Sequence, residues 1–285
     1  MTFPDEAPGF LFGVKAGHFW FTHRRLAIRD AARACLNGRD RARVLDLGCG
    51  DGEVLAELAK DFPAVGMDRR INDLSLAQRR GARRLVAADG DRLPFTPGFD
   101  LVGLFDVVEH VEDDLGLLRR AAGLVAPGGF VLLTVPADPK LWGKYDRYAG
   151  HYRRYSRTAL EELLRRAGLE PKRIAPLFRI LRPLARVQAI LHGNQEVTDP
   201  AREYAVSPLF NRLLAGALSA ERKLLGDSDR FGGTSWLATA RVPQERAVPS
   251  VPQGRALRPP ATSTTTRSRL FSAMRPLTPP PEPLP

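Results

Sequence analysis

The chain has 285 residues, 44% of them hydrophobic, enough to bury one full-sized core with appendages. Its formal charge of +11 points first to nucleic acid or an anionic membrane, yet the basic residues are nearly all arginine and are scattered from end to end, so a nucleic-acid partner is not expected. Cys35 and Cys49 are the only cysteines and stand in no metal-finger spacing. No basic-then-apolar leader opens the chain, and no apolar run approaches the ~20 residues of a membrane span. Together these features lead to the expectation of a cytoplasmic protein.

Short apolar runs alternate with helical patterns, which predicts an α/β fold on a mostly parallel sheet. An N-terminal helical cap over about 1–40 contains a helix predicted at 18–36. Strands are predicted at 43–47, 64–68, 84–88, 100–105, 129–135, 171–177 and 234–241, the last two as an antiparallel pair at the sheet edge. Helices are predicted at 52–60, 113–125 and 156–167, with Ser156 as an N-cap. A helical insert, about 178–229, separates the last two strands. Beyond Arg241 the composition changes: 242–285 holds eleven of the 24 prolines and six arginines against Glu245 and Glu282. Such a segment buries too little apolar surface to offset its ordering entropy, so a disordered tail is expected there.

The first predicted strand runs into Val44-Leu45-Asp46-Leu47-Gly48-Cys49-Gly50-Asp51-Gly52, a GxGxG between strand and helix. Glycines there permit φ > 0 and close backbone approach by a ligand. A nicotinamide-binding dehydrogenase is the obvious competitor. Against it, Asp46 lies inside the strand, where it can accept from an ammonium group. Asp68 ends the second strand, placed for ribose hydroxyls. Asp89, followed by Gly90, ends the third and can accept from an adenine amino group. Any one of these acids alone reads as a helix cap or a solvated loop residue. All three fall at strand ends facing one crevice, where open α/β sheets bind ligands.

The ordered set VLDLGCGDG, GMD, AADGDRLPF, FDLVGLFDVVEHVEDD and APGGFVLLTVP resembles the class I S-adenosylmethionine-dependent methyltransferases over about 43–135. The resemblance implies a Rossmann-like seven-stranded sheet with helices on both faces and S-adenosylmethionine as cofactor. It places Asp46, Gly48, Cys49, Gly50 and Gly52 at the methionine end, Asp68 at the ribose and Asp89 with Gly90 at the adenine. Phe105 and Asp106 would lie near the methyl group. His18-Phe19-Trp20-Phe21 with Arg24-Arg25, and the GHYRRYS stretch, are similar to a bacterial subgroup of that family and extend the match to about Arg241.

Two stretches at the predicted carboxyl ends of strands four and five are rich in chemistry. Asp106, Glu109 and His110 share one face if their segment is helical. They resemble the E-x-x-E-H of ubiquinone-pathway O-methyltransferases, which implies a divalent ion such as Mg²⁺; here Asp106 replaces the first glutamate and reaches less far. The other reading is that Glu109 and His110 only orient the loop. From Trp142 to Tyr155 aromatics, arginines and a histidine are concentrated. Trp142, Tyr145, Tyr152 and Tyr155 can wall a ring, His151 can take a hydroxyl proton with His110 as a second candidate base, and Arg153 or Arg154 can pair an anionic substrate group. The alternative is a packed lid whose arginines bridge to Glu161 and Glu162. In the insert, Ile180, Leu184, Val187 and Leu191 recur at helical spacing beside Arg179, Arg182 and Arg186. Helix 178–192 thus either packs on the sheet or makes a peripheral membrane contact at the inner face of the membrane.

These features predict methyl transfer to a small-molecule acceptor, on oxygen rather than nitrogen or carbon: a metabolite, quinol, phenol or saccharide. The rival readings are an RNA or protein methyltransferase and a non-catalytic S-adenosylmethionine-binding module. No N/D-P-P-Y/F element follows strand four, which weighs against amino groups of bases. The intact glycine loop and strand-end acids weigh against the module.

Overall fold

The computed structural model describes residues 17–39, 41–192, 195–197, 205–224 and 232–244. All lie within one unit of the chain, Met1–Arg246. Helix α1 (Phe19–Cys35) opens it, with the His18 ring accepting from the Trp20 N–H as cap. Ala27, Ile28, Ala31 and Ala32 are buried at the spacing of one helix face, which is why this segment docks.

Seven strands follow: β1 (Val44–Leu47), β2 (Ala64–Asp68), β3 (Leu85–Ala87), β4 (Phe99–Phe105), β5 (Val125–Pro136), β6 (Glu170–Leu177) and β7 (Ser235–Arg241). They form one sheet in the order β3-β2-β1-β4-β5-β7-β6. β1 to β5 pair in parallel, while β7 runs antiparallel to both β5 and β6. The order reverses between β1 and β4, the switch point where such sheets open a crevice at their carboxyl ends.

Alternation along the central strands builds two layers. Val44, Leu101, Phe105 and Leu132 pack with α1 on one face. Leu45, Leu47, Val102, Leu104, Val131 and Leu133 pack on the other with residues of α4 (Asp114–Leu124) and α6 (Arg157–Arg166). Ser156 caps α6 as expected, its Oγ accepting from the Ala159 N–H at 3.1 Å.

Several elements depart from the sequence reading. β5 begins at Val125, four residues early, because Val125 pairs with Phe99 before the strand bulges and resumes with Phe130 opposite Leu101. Helix α2 spans Glu53–Leu58, shorter than the 52–60 expected, and α3 (Ile71–Arg79) is the helical stretch between β2 and β3. The loop after β5 contains a short helix, α5 (Lys144–Ala149). The insert contains α7 (Arg182–His192) and a second helix, α8 (Pro208–Leu224). α8 packs against α1: Asn211 accepts from the Phe19 N–H at 2.8 Å, and Arg222 pairs with Asp30 at 2.8 Å. Its buried Glu221 accepts the N–H groups of Arg179 and Ile180, both at 3.0 Å.

The expected tail begins too early. Val242 is 3% exposed and exchanges backbone hydrogen bonds with Gly128 and Gly129 at 3.0 and 2.9 Å. The ladder thus extends past Arg241. The rest of the predicted tail, 245–285, and 1–16 of the predicted cap lie outside the described residues.

Candidate active site

β1 is buried along its whole length and carries Asp46 into the crevice floor. Asp46 is 1% exposed, and both its carboxylate oxygens lack a hydrogen-bond partner. Burial pushes its pKa up to about 7; Asp68 adds to the rise and the Arg24 guanidinium opposes it. An unpaired buried carboxyl is costly, and the ammonium of an amino-acid ligand would supply what it lacks. The residues present therefore fit the methionine end of S-adenosylmethionine.

The glycines of the loop have different reasons for being glycine. Gly50 has φ +53 and open space where a Cβ would stand, so backbone conformation and room for a ligand select it. Gly52, which caps α2, would place a Cβ 2.6 Å from the Ala77 Cβ and 2.9 Å from its Cα. Its role is to let the loop close on α3 rather than to touch a cofactor. Gly48 is crowded in the same way by Val107, at 2.6 Å. Cys49 turns away: its side chain is buried with Leu55, Leu74 and Ala77, and burial raises its thiol pKa. Only its backbone borders the crevice loop.

Asp68 braces that loop. Its Oδ2 accepts the Gly50 N–H and its Oδ1 the Arg70 N–H, each at 2.9 Å. A carboxylate oxygen has two lone pairs, so each retains one for a ribose hydroxyl. Asp89 is exposed two residues beyond β3 and accepts the Asp91 N–H at 3.1 Å, while the Gly90 carbonyl accepts from Arg120 at 3.1 Å. The Phe105 ring does not face the crevice. It packs over Gly103 in the layer beneath α1, which corrects its expected place near the methyl group.

Asp106 ends β4 with φ +56, a left-handed conformation unusual for a residue with a Cβ. Its Oδ1 accepts from Thr134 Oγ1 at 2.9 Å, and its Oδ2 forms an ion pair with Arg24 Nε at 2.7 Å. Arg24 is buried on α1 and also faces Asp46 electrostatically. The sequence marked Arg24 only as part of a resemblance; the structure places it between two site acids.

The expected metal set of Asp106, Glu109 and His110 is not assembled, because the Asp106 carboxylate is held by Arg24 and Thr134. Instead Glu109, His110 and His151 bring one ligand atom each within 4.8 Å of one another. Glu109 lies on the turn Val108–His110, is 0% exposed, and has no partner for either carboxyl oxygen. Burial, then the Asp106 charge, raises its pKa well above the usual carboxylate range. His110 is driven down to about 4, first by burial and then by His151, and is neutral at ordinary pH. The His110 and His151 rings meet edge to face with centroids 4.7 Å apart.

His151 follows α5 and places Nδ1 2.9 Å from Asp146 Oδ1. Asp146 is 0% exposed and was not picked out from sequence, although it belongs to the expected loop. Its Oδ2 accepts the Gly143 N–H at 2.9 Å, and its Oδ1 also accepts from Arg154 Nε at 2.8 Å. Burial works against ionisation, yet the His151 ring, Arg154 and Gly143 together hold this carboxyl below its ordinary range. An ionised Asp146 selects the His151 tautomer with a proton on Nδ1, leaving Nε2 to accept one.

Three expected substrate residues are anchors of this loop instead. Arg153 pairs with Asp114 at 2.9 Å and donates to the Glu112 carbonyl at 2.9 Å. Arg154 spends its donors on Asp146 and, at 3.1 Å, on the Ala137 carbonyl. Tyr155 is buried, and its hydroxyl donates to Asp114 at 2.9 Å. The acids they meet are Asp114 and Asp146, not the Glu161 and Glu162 of the packed-lid reading. Trp142 and Tyr145 are half-buried, and Tyr152 is exposed with the Arg153 guanidinium 5.7 Å from its ring centre.

This geometry agrees with what the chain resembles. A family model described as a methyltransferase domain matches residues 20–173, more than half of the chain. The ubiquinone biosynthesis O-methyltransferase of Alkalilimnicola ehrlichii is 31% identical over 124 residues, 39% of this chain and 49% of that protein. The trans-aconitate 2-methyltransferase of Deinococcus radiodurans is 32% identical over 121 residues, 41% of this chain and 47% of that one. The chain thus matches about half the length of these curated relatives. Among solved structures, the methyltransferase partner of the Haloferax volcanii Trm112 methyltransferase activator superposes with a TM-score of 0.54 at 18% identity, over 80% of this chain and 93% of that one. The fold is that of the class I S-adenosylmethionine-dependent methyltransferases. The chain belongs to the methyltransferase-domain family.

Proposed function

We propose that the protein methylates a hydroxyl group of a small-molecule acceptor, with His151 as the base. The observation that carries the reading is the His151–Asp146 pair, joined through His110 to the turn that follows β4. When bound, S-adenosylmethionine supplies a methyl group on a positively charged sulfur, open to in-line attack. Asp46 would hold its ammonium, the backbone at Gly48 and Gly50 would approach it, and Asp68 and Asp89 would take ribose and adenine. Asp146 orients His151, keeps its Nδ1 protonated, and stabilises the imidazolium that forms once Nε2 has taken the hydroxyl proton. His110, whose pKa lies near 4, adds no charge beside the His151 ring at neutral pH. Trp142, Tyr145 and Tyr152, on the same loop, would bound an acceptor ring. The O-methyltransferase name of one relative supports oxygen as the acceptor atom.

The test is His151→Ala assayed with labelled cofactor against a panel of phenols, quinols and saccharides. It should lower kcat by about 10²–10⁴-fold with cofactor affinity unchanged. Normal turnover combined with earlier melting would reduce His151 to a packing residue and remove the proposal.

A peripheral membrane contact through 178–192 stays part of the proposal. It is supported by the exposure of Leu184, Val187, Ile190 and Leu191 on α7, where a helix packed on the sheet would bury them.

A further inference from the structure

The divalent ion that the E-x-x-E-H resemblance implies would be Mg²⁺, a hard ion that takes oxygen ligands. The chain does not offer that set: the Asp106 carboxylate is taken by Thr134 Oγ1 at 2.9 Å and by Arg24 Nε at 2.7 Å. What converges instead is one carboxylate and two imidazoles, those of Glu109, His110 and His151, with ligand atoms within 4.8 Å of one another. Around an ion bound at about 2.0–2.1 Å, tetrahedral ligands stand roughly 3.3 Å apart. The donors therefore need to draw together by at most about 1.5 Å, which modest rotation about χ1 and χ2 supplies.

The three side chains are held from outside the cluster. Glu109 and His110 lie on the turn Val108–His110, and His151 follows α5. A backbone hydrogen bond clamps the two segments: the Tyr152 N–H donates to the Glu109 carbonyl at 2.8 Å. Asp146 Oδ1 pins His151 Nδ1 at 2.9 Å, so the lone pair left to a ligand is on Nε2. The His110 ring is likewise hydrogen-bonded to the backbone of Gly150. An imidazole whose second nitrogen donates to a carboxylate or a carbonyl is the usual metal-binding arrangement, because that bond fixes the tautomer and the ring direction. Glu109 points the same way. It is fully buried, and neither carboxyl oxygen has a hydrogen-bond partner. A polar group buried without a partner is costly, and an ion would supply the missing contact.

We propose that Glu109, His110 and His151 form a site for a divalent transition-metal ion of the zinc class, and that the ion competes with the acceptor's proton for the His151 Nε2 lone pair. Two nitrogens and one oxygen suit Zn²⁺, Co²⁺ or Ni²⁺ and disfavour Mg²⁺ and Ca²⁺. Three protein ligands leave a fourth position open. The binding stands on the geometry alone; only its effect on turnover rests on the reading of His151 as the base.

The experiment is titration of the full chain, freed of metal by EDTA and dialysis, with Co²⁺, Zn²⁺ and Mg²⁺ in the absence of acceptor. We expect one equivalent of Co²⁺ to bind with a new visible absorption band, displaced by Zn²⁺ but not by excess Mg²⁺. Glu109→Gln and His110→Gln should each weaken Co²⁺ binding by about tenfold or more. Glu170→Gln, at an exposed acid paired with Lys172, should leave it unchanged. His110 is only partly buried, so if Glu109→Gln melts early, the wild-type band and His110→Gln still decide. Absence of a one-equivalent band, or equal binding in both variants, overturns the site. Mg²⁺ binding as tight as that of Co²⁺ overturns the choice of ion. In the labelled-cofactor assay Zn²⁺ should suppress turnover and EDTA should restore it. Stoichiometric Co²⁺ binding with turnover indifferent to Zn²⁺ would remove the competition, and His151 as the base, while the metal site stands.

Discussion

At the scale of single residues, the site is organised by carboxyl groups in unlike surroundings. Asp46 is buried and unpaired, so its pKa rises to about 7, whereas Asp146, equally buried, is held ionised by its donors. If the ammonium of the cofactor docks on Asp46, a group protonated in the free protein below about 7 must ionise, and binding releases a proton there. Cofactor affinity should therefore fall as pH drops below about 7, by up to about tenfold per unit, and Asp46→Asn should flatten the profile. A wild-type affinity that stays constant from pH 7 to about 5 would remove Asp46 from the cofactor site. Arg154 carries a second prediction. Its Nε and Nη1 anchor the loop to Asp146 and Ala137, so Arg154→Ala should lower kcat and the melting temperature together while leaving the acceptor KM unchanged. A raised KM alone would restore it as an anion-binding residue. Asp46 and Asp68 were legible because one acid stands in the strand just ahead of the glycine loop and the other ends the next strand about twenty residues on. The Asp106–Arg24 and His151–Asp146 pairs were not. The first joins residues distant in the chain, and the second depends on a short helix whose turn brings residue 146 back under residue 151.

Among the elements, those with a strong period were readable, and those fixed by one or two long-range contacts were not. β1, its loop and α2 announce themselves through Val44 to Leu47 followed by glycines. The six residues of α5 show no apolar period; Asp146 holds the segment by accepting the Gly143 N–H at its start. α8 was hidden because much of its apolar surface is exposed, including Leu209, Phe210 and Leu213, and its docking depends on the polar Asn211 and Glu221. The junction of α2 and α3 offers a direct test. Gly52 has φ +75, and a Cβ there would meet Ala77 at 2.6 Å. Gly52→Ala should cost at least about 2 kcal/mol of stability from strain and overlap combined. Denaturant unfolding at wild-type stability would show that the loop can retreat from α3, and would return Gly52 to a ligand-contact role.

Among the described residues, the two ends of the sheet carry different side chains. The β3-β2-β1 side carries Asp46, Asp68 and Asp89, and the β5-β7-β6 side carries the aromatic loop and the insert. That division follows from the order reversal between β1 and β4, which the alternation of strands and helices predicted in kind but not in its outer order. β7 inserts between β5 and β6, and this makes the end of β7 structural. Past Arg241, Val242 still contributes a buried side chain and two backbone hydrogen bonds to the turn at Gly128 and Gly129. A chain ending at Arg241 should lose about 1–3 kcal/mol, from roughly one buried Val side chain and the hydrogen bonds. That corresponds to a fall of a few degrees in melting temperature for a domain of this size. A chain ending at Gln244 keeps all three contacts. What it loses is the proline-rich, arginine-rich composition of 245–285, which offers few large apolar residues to bury. It should melt with the full chain and bind cofactor equally well. Thermal unfolding of the three chains side by side reads the boundary directly: a drop already present in the chain ending at Gln244 would mean that 245–285 docks on the domain, and no drop in the chain ending at Arg241 would mean that Val242 adds nothing to the core.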